Sequence, residues 1–343
     1  GKAGSGKSTL LEYFRQNTNK NFITLAFQGI TAIKAKGQTI HSFFKFPPHF
    51  ISQQDIKILK DKDLIKRLDT ILIDEISLVR ADLFDAIDVS LKMNRGNDEP
   101  FGGVQVVVFG DVMQLDPIIG KTDEEIMQKF YPEGVYFFNA NCFTEGNLQN
   151  IELTKNFRQK DKSFIDLLNS IRTGSVDEKK LAFLNNRTVT IDDLPKETII
   201  LAPTNRKVDD INFSHLYQLK TPTFNYDAVV KGTFKEKEYP VEKNLKLKVG
   251  AQIMITKNDT DIPQKWVNGT LGTIQSLSKD KIKILIDDKS YYLGKAKWDK
   301  YEYKFSGNRV DTSIKGSFIQ YPIKLAWATT IHKSQGQTFE KVA

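Results

Sequence analysis

Residues 1–10 read "GKAGSGKSTL", and the fold of the chain is decided by how this stretch is understood. Gly1, Gly6, Lys7 and Ser8 satisfy the phosphate-loop pattern GxxxxGK[ST]. Glycines let backbone N–H groups converge on phosphate oxygens, where any Cβ would obstruct the approach. Lys7 then reaches the β and γ phosphates, while the Ser8 hydroxyl ligates Mg²⁺. The helix that follows aims its N-terminus at the anion. A nucleoside triphosphate held by Ala3, Gly4, Ser5, Gly6, Lys7, Ser8 and Thr9 is the first expectation.

A loop of this kind belongs to α/β layers around a parallel sheet, and the next two-thirds of the chain has that texture. Short β-branched runs at 21–27 ("NFITLAF"), 70–74 ("TILID"), 104–111 ("VQVVVFGD") and 198–203 ("TIILAP") read as strands. Apolar spacing predicts helices over 7–16, 81–93 and 161–172. In the last of these Asp161 caps the start, Phe164, Leu167, Leu168 and Ile171 form the stripe, and Gly174 ends it. "FFKFPPHF" (43–50) is a proline-broken aromatic loop. From about 223 to 317 the pattern turns to alternation and turns, which reads as an inserted small β domain. Residues 321–336, "YPIKLAWATTIHKSQG", return to helical spacing. There Trp327 and Ile331 make an i, i+4 apolar pair, while His332 and Gln335 share a different face.

At 343 residues the chain exceeds one ordinary core, so two or more domains are expected. With 40% hydrophobic and 27% charged residues the composition is that of a soluble protein. No apolar run approaches the roughly 20 residues that cross a bilayer. Cys142, the single cysteine, cannot form an internal disulfide and reads as a small buried side chain. The formal net charge is +8, and Lys220 to Lys315 alone carries 19 Lys and Arg against 12 Asp and Glu. Such a local surplus fits either a polyanionic partner or a solvated lysine-rich face.

Three further motifs bear on chemistry. "TILIDEIS" is an apolar strand ending in Asp74-Glu75, which sets two acids at the carboxyl edge of the sheet. Asp74 suits Mg²⁺ and Glu75 suits activation of the attacking water. In "VVVFGDVMQLDPI", Gln114 is either a surface turn residue or a γ-phosphate sensor, because its amide both donates and accepts. In "LTKNFRQKD", Arg158 is either a solvated side chain or an arginine finger for the transferred phosphoryl group.

Taken in order, "GKAGSGKST", "GITAIKAKGQTIHSFF", "ILIDEISLV", "FGDVMQLDP", "LTKNFRQ", "LAPTNRKVDDIN", "WVNGTLGTI" and "LAWATTIHKSQGQTF" resemble the petite-integration-frequency DNA helicases of superfamily 1, the branch that includes RecD-like enzymes. The resemblance runs over essentially the whole chain. It implies an α/β fold of two RecA-like P-loop lobes with parallel sheets, ATP lying in the cleft between them, plus a small wedge module and an inserted SH3-like β domain. On this reading residues 1–44 and 67–155 form the first lobe, 45–66 the wedge, 156–222 and 318–343 the second lobe, and 223–317 the β domain.

The same resemblance implies ATP and Mg²⁺ as cofactors and 5′-to-3′ movement on single-stranded DNA, with ATP closing the cleft and hydrolysis reopening it. It further implies unwinding of duplex, forked or G-quadruplex DNA in repair, replication, recombination or telomere-type maintenance. The protein is expected to be monomeric and intracellular (cytoplasm or nucleoid if bacterial, nucleus or mitochondrion if eukaryotic). Lys7, Ser8, Asp74, Glu75, Gln114 and Arg158 inherit nucleotide and catalytic roles, and Gly336 approaches the phosphates. Gly29, Thr39, His41, Ser42 and Phe43 match the first lobe's DNA contacts, and Thr204 and Asn205 match the second's. Thr330, His332 and Lys333 lie in the motif that links DNA to the cleft. Phe43, Phe44 and Trp327 are candidates for stacking on bases, with core packing as the alternative.

The chain departs from the family's pattern in places. Phe27 and Gln28 stand where the family has a proline and a threonine, and Asp116 stands where a proline is common. The strand before the phosphate loop, the adenine-contacting glutamine and an "ALSR"-type motif with a second catalytic arginine all fall outside the 343 residues. The expectation is therefore the centre of a longer helicase, with poor ATP hydrolysis by this segment alone. Two rival readings are a nucleotide-gated DNA-binding protein that does not unwind, and a RecD-like helicase subunit of a nuclease complex.

Overall fold

The computed structural model describes every residue except 146–147, 158–160, 196, 262–263, 307–308, 336–338 and 340. The chain forms two compact units, Gly1–Leu181 with Lys300–Lys315, and Ala182–Asp299 with Gly316–Ala343. No helix among the described residues is long and apolar enough to cross a membrane.

The first unit is built on a parallel sheet of β1 (Phe22–Ala26), β2 (Gln38–Thr39), β3 (Thr70–Asp74) and β4 (Gln105–Val108), in the order β2-β1-β3-β4. Its helices are α1 (Lys7–Asn17), α2 (Gly29–Lys34), α3 (Ile40–Phe44), α4 (Lys62–Lys66), α5 (Ala81–Arg95), α6 (Glu124–Phe130), α7 (Asn141–Glu145) and α8 (Lys162–Arg172). Strands covered on both faces need apolar side chains on both. Along β3, Ile71 and Ile73 join the cluster that holds Phe84, Ile87 and Leu91 of α5, whereas Leu72 packs with Leu11 of α1 and with Phe109. The register pairs Ala26 with Asp74 and Ile73 with Val108, so the loops that carry chemistry leave one edge of the sheet together.

Residues 45–66 share this core through Phe46, Ile51, Leu59, Leu64 and Ile65. Ile51 N–H donates to Asp82 Oδ2 at 3.0 Å and Leu59 N–H to Asn94 Oδ1 at 2.7 Å, which ties the segment to α5. Arg80 is buried between Asp82 (Nε–Oδ1 2.9 Å) and Asp123 (Nη1–Oδ2 3.1 Å).

The edge of the sheet is finished by a residue from far along the chain. Thr24 N–H of β1 donates to the Tyr303 hydroxyl at 2.8 Å, and that hydroxyl donates to Thr24 O at 3.1 Å. The ring of Tyr303 lies edge-on to Phe43, with centroids 6.2 Å apart. Alongside, any side-chain carbon at Gly37 would run into the Thr24 carbonyl, so the chain enters β2 only as glycine. Tyr303→Phe keeps the ring but leaves two buried backbone groups short of a partner, so we expect a loss of about 1–3 kcal/mol. A lowered urea midpoint at unchanged m-value would show it, and an unchanged midpoint would refute it.

Helix α9 (Glu178–Asn185) begins in the first unit and ends in the second, where the chain continues to β5 (Ile200–Ala202) and α10 (Asn205–Gln218). The chain then runs through β6 (Phe224–Asp227), β7 (Val229–Gly232), β8 (Asn244–Leu247), β9 (Gln252–Ile255), β10 (Leu271–Leu277), β11 (Ile282–Ile286), β12 (Lys289–Leu293), β13 (Ala296–Ser306) and β14 (Arg309–Gln320), the last two including the Lys300–Lys315 stretch that belongs to the first unit. Pairing among these is antiparallel wherever β9 meets β10, β10 meets β11, β11 meets β12, β7 meets β14 and β6 meets β8.

Residues 321–336 differ from the helix that their spacing predicts. The described residues of this stretch, 321–335, form β15 (Ile323–Leu325), β16 (Ala328–Thr330) and only a four-residue helix, α11 (Ile331–Ser334). Pro322 and the β-branched Ile323, Thr329 and Thr330 disfavour a continuous helix. Tertiary contacts complete the choice. β16 pairs in parallel with β5, and the Asn212 amide brackets Ala328, donating to its O at 3.0 Å and accepting from its N–H at 2.9 Å. Trp327 therefore stacks on His215 (5.3 Å, 14°) instead of pairing with Ile331, which is 42% exposed.

Candidate nucleotide and nucleic-acid site

The loop 1–8 is closed by its own carbonyls. Ser5 Oγ donates to Lys2 O at 2.7 Å, and Lys7 Nζ donates to Gly1 O at 2.8 Å and Lys2 O at 3.1 Å. From outside, Phe157 N–H donates to Gly4 O at 2.9 Å and Asn156 Nδ2 to Ala3 O at 3.3 Å. Gly6 is the N-cap of α1 in a left-handed conformation (φ 91°), and no side chain caps that helix. Carbonyls are thus spoken for while the helix N-terminus keeps its N–H groups for an anion.

β3 delivers Asp74 and Glu75 beside this loop. Glu75 is left-handed (φ 53°, ψ 51°), a strained conformation for a residue with a side chain. Its N–H donates to Asp74 Oδ1 at 3.0 Å. The turn is locked from β4: Ile76 N–H donates to Phe109 O at 2.9 Å, and a Cβ on Gly110 would stand 2.7 Å from Ile76 Cγ2. Burial raises the Asp74 carboxyl above the usual carboxylate range, against the pull of the Glu75 N–H and the Lys7 ammonium. Burial likewise raises Glu75, helped by the charge of Asp74 and opposed by Lys7 and Lys34.

Two residues that sequence reasoning missed complete this edge. Asp111, 3% exposed, accepts from Gln114 Nε2 at 3.0 Å, from Arg172 Nη2 at 2.9 Å and from Met113 N–H at 3.3 Å. Burial works to raise its carboxyl, but the bonds from Arg172, Gln114 and Met113 outweigh it and hold the group low. An acid directly after an apolar strand and a glycine was the available signal for Asp111. Arg172 had none, because it lies 61 residues away in sequence.

The residues present fit a magnesium nucleotide. Ser8 and Asp74 supply hard oxygen donors of the kind Mg²⁺ takes, one carboxylate and one hydroxyl beside phosphates. Two half-buried acids with raised carboxyls are what a cation would relieve.

The expected DNA-contacting residues fall on a repeated device. Thr39, Thr204 and Thr330 each follow or end a parallel strand, and each accepts on its hydroxyl from a backbone N–H three residues on. The donors are Ser42 (3.2 Å), Lys207 (3.3 Å) and Lys333 (3.2 Å). Within the second unit β16 and β5 pair Thr330 with Ala202, two residues before Thr204. Gly29 and Asn205 open α2 and α10, and His332 lies half-buried in α11.

The expected stacking rings are placed mainly in the core. Phe44 is 1% exposed and stacked on Phe46 at 5.2 Å, so it is core and offers no face to a base. Phe43, 8% exposed, packs between Phe44 and Tyr303. The departures from the family's pattern also find partners. Phe27 lies edge-on to His41 at 5.6 Å, Gln28 is the N-cap residue of α2, and Asp116 accepts from the Tyr136 hydroxyl at 3.0 Å. Arg158 and Gly336 lie outside the described residues.

Comparison with known proteins places this geometry. A family model described as PIF1-like helicase matches residues 1–182. Over its whole length the chain is 31% identical to an ATP-dependent DNA helicase Pif1 of Campylobacter jejuni, of which it covers 81%. A crystal structure of Bacteroides sp Pif1 in complex with ADP-AlF4 is 38% identical with a TM-score of 0.91, the match covering 99% of this chain and 80% of that one. Bacteroides Pif1 bound to ssDNA matches over the same shares, with 38% identity and a TM-score of 0.66. The chain belongs to the PIF1-like helicase family.

Proposed function

We propose that the protein is an ATP-dependent DNA helicase that moves 5′ to 3′ on single-stranded DNA and unwinds duplex, forked or G-quadruplex substrates in genome maintenance. One observation carries the reading: a phosphate loop, a strained acidic pair and the Gln114–Asp111 pair all open at the carboxyl edge of one parallel sheet.

Lys7 is positioned to neutralise the β and γ phosphates, and the α1 N-terminus to receive their oxygens. Magnesium held by Ser8 and Asp74 would draw charge from the phosphates. Glu75 accepts the proton of the attacking water, a role that its raised carboxyl suits. Gln114 orients against the γ phosphate, and Arg158 is assigned the arginine finger by resemblance. Gly336 is carried over to the phosphates in the same way.

For DNA, we assign Gly29, Thr39, His41 and Ser42 in one lobe and Thr204 and Asn205 in the other, with Phe43 kept as core packing. Thr330, His332 and Lys333 report strand occupancy. Each N-capping threonine spends an oxygen lone pair on the backbone, which leaves its O–H free to donate to a phosphate of the strand. The segments 1–44 with 67–155, 45–66, 156–222 with 318–343, and 223–317 act as first lobe, wedge, second lobe and inserted β domain, in a monomer.

The decisive experiment uses duplexes with either a 5′ or a 3′ single-stranded tail, with and without ATP. We expect strand separation only from the 5′ tail and only with ATP. Tight single-strand binding with no separation from either tail would replace this reading with a nucleotide-gated binding protein.

A further inference from the structure

We infer that Arg172 is a positioning residue for hydrolysis, acting through Asp111 to fix which end of the Gln114 amide faces the phosphates. The inference rests on the nucleotide-site reading above. Asp111 sits at the carboxyl end of β4, next to Gly110, and is buried. Its two oxygens are divided: Oδ2 takes Gln114 Nε2 at 3.0 Å, and Oδ1 takes Arg172 Nη2 at 2.9 Å.

The chemistry of that division is restrictive. An ionised carboxylate can only accept, so the amide must present its NH₂ to Asp111 and its carbonyl oxygen away from it. Gln114 is further pinned by its own N–H, which donates to Asp111 O at 3.0 Å. Its orientation is therefore set by the ionisation of Asp111, and the cation that keeps Asp111 ionised is Arg172. Without the guanidinium, a buried carboxylate tends to take up a proton. It would then carry an O–H donor, and the amide could turn over with its oxygen inward.

Arg172 is held for this pairing at some cost. Its side chain is 23% exposed, and its Nε is buried without a hydrogen-bond partner. It comes from the last turn of α8, whereas Asp111 and Gln114 belong to the loop after β4, so the contact fixes the amide from a separate element.

The test measures DNA-stimulated ATP turnover in the wild type, Arg172→Gln, Arg172→Lys, Asp111→Asn and Gln114→Ala, and in the doubles that add Gln114→Ala to each. We expect Arg172→Gln and Asp111→Asn each to lower kcat about 10- to 100-fold. The KM for ATP should stay within about twofold, as for a defect confined to the chemical step. Arg172→Lys should recover part of the loss. In the Gln114→Ala background both changes should add nothing further, because their route to the reaction is already cut. A merely structural role would lower the melting temperature without this kcat-against-KM split or this non-additivity. Unchanged kcat in Arg172→Gln, or losses that multiply in the Gln114→Ala background, would overturn the inference. Should Asp111→Asn fail to fold, the Arg172 and Gln114 variants decide the matter between them. Lys7→Ala serves as control: turnover surviving there defeats the nucleotide-site reading itself, whereas a dead Lys7→Ala beside an unaffected Arg172→Gln defeats only the role of Arg172.

Discussion

Lys7→Ala is expected to lower DNA-stimulated ATP hydrolysis by at least about 10²- to 10³-fold, the scale of removing a preorganised charge from a developing one. Nζ lies within reach of two loop carbonyls, Gly1 O and Lys2 O, and so occupies the curve that phosphate oxygens would line. Alanine takes away the cation and also leaves two carbonyl dipoles uncovered beside any anion, so binding and chemistry suffer together. Single-strand affinity should survive in part, because the threonine-capped turns at Thr39, Thr204 and Thr330 do not depend on Lys7. Phosphate release and fluorescence anisotropy on a labelled oligonucleotide separate the two quantities. Wild-type turnover in the variant would refute the phosphate-loop assignment.

Glu75→Gln is expected to cost about 10²- to 10⁴-fold in turnover while nucleotide binding persists, since the amide keeps the shape and loses the base. In the wild type the rate should fall as pH drops through the raised carboxyl of Glu75, and the variant's residual rate should lack that limb. Stability should move the opposite way. A carboxyl whose folded pKa is raised favours the folded state below its unfolded pKa, and that contribution is lost as pH rises through the folded one. At neutral pH the nucleotide-free protein therefore carries a half-buried charge that glutamine removes. Glu75→Gln should melt higher than wild type at pH 7, with the gap closing as the solution is acidified into the carboxylate range. A variant that melts lower at neutral pH would show that the ionised side chain is better compensated than its burial implies. Such a trade, in which an acid is kept at the expense of stability, is common where chemistry is done.

Much of the fold is legible in the sequence. β1, β3, α1, α5 and α8 follow from apolar runs and helical spacing, because each is decided within its own residues. The readings of Lys7, Ser8, Asp74 and Glu75 rest on contiguous motifs, which a sequence displays directly. What escaped depends on partners distant in sequence. Arg172 meets Asp111 across 61 residues, and Tyr303 meets Thr24 across 279. The stretch 321–336 misled for the same reason. Trp327 and Ile331 are spaced as on a helix, but Asn212, 116 residues upstream, holds Ala328 as strand. Phe44 shows the limit from another side: an aromatic read as a stacking platform for bases is a piece of the core.

Tyr303 has a consequence for the order in which the protein is made. The first sheet cannot finish its edge until a residue about 120 positions beyond Leu181 has left the ribosome, a wait of about 6–25 s at ordinary elongation rates. During that interval the Thr24 amide and carbonyl must be satisfied by water or by a chaperone. The nascent nucleotide-binding lobe is thus born with an open seam, and its final closure is timed by translation.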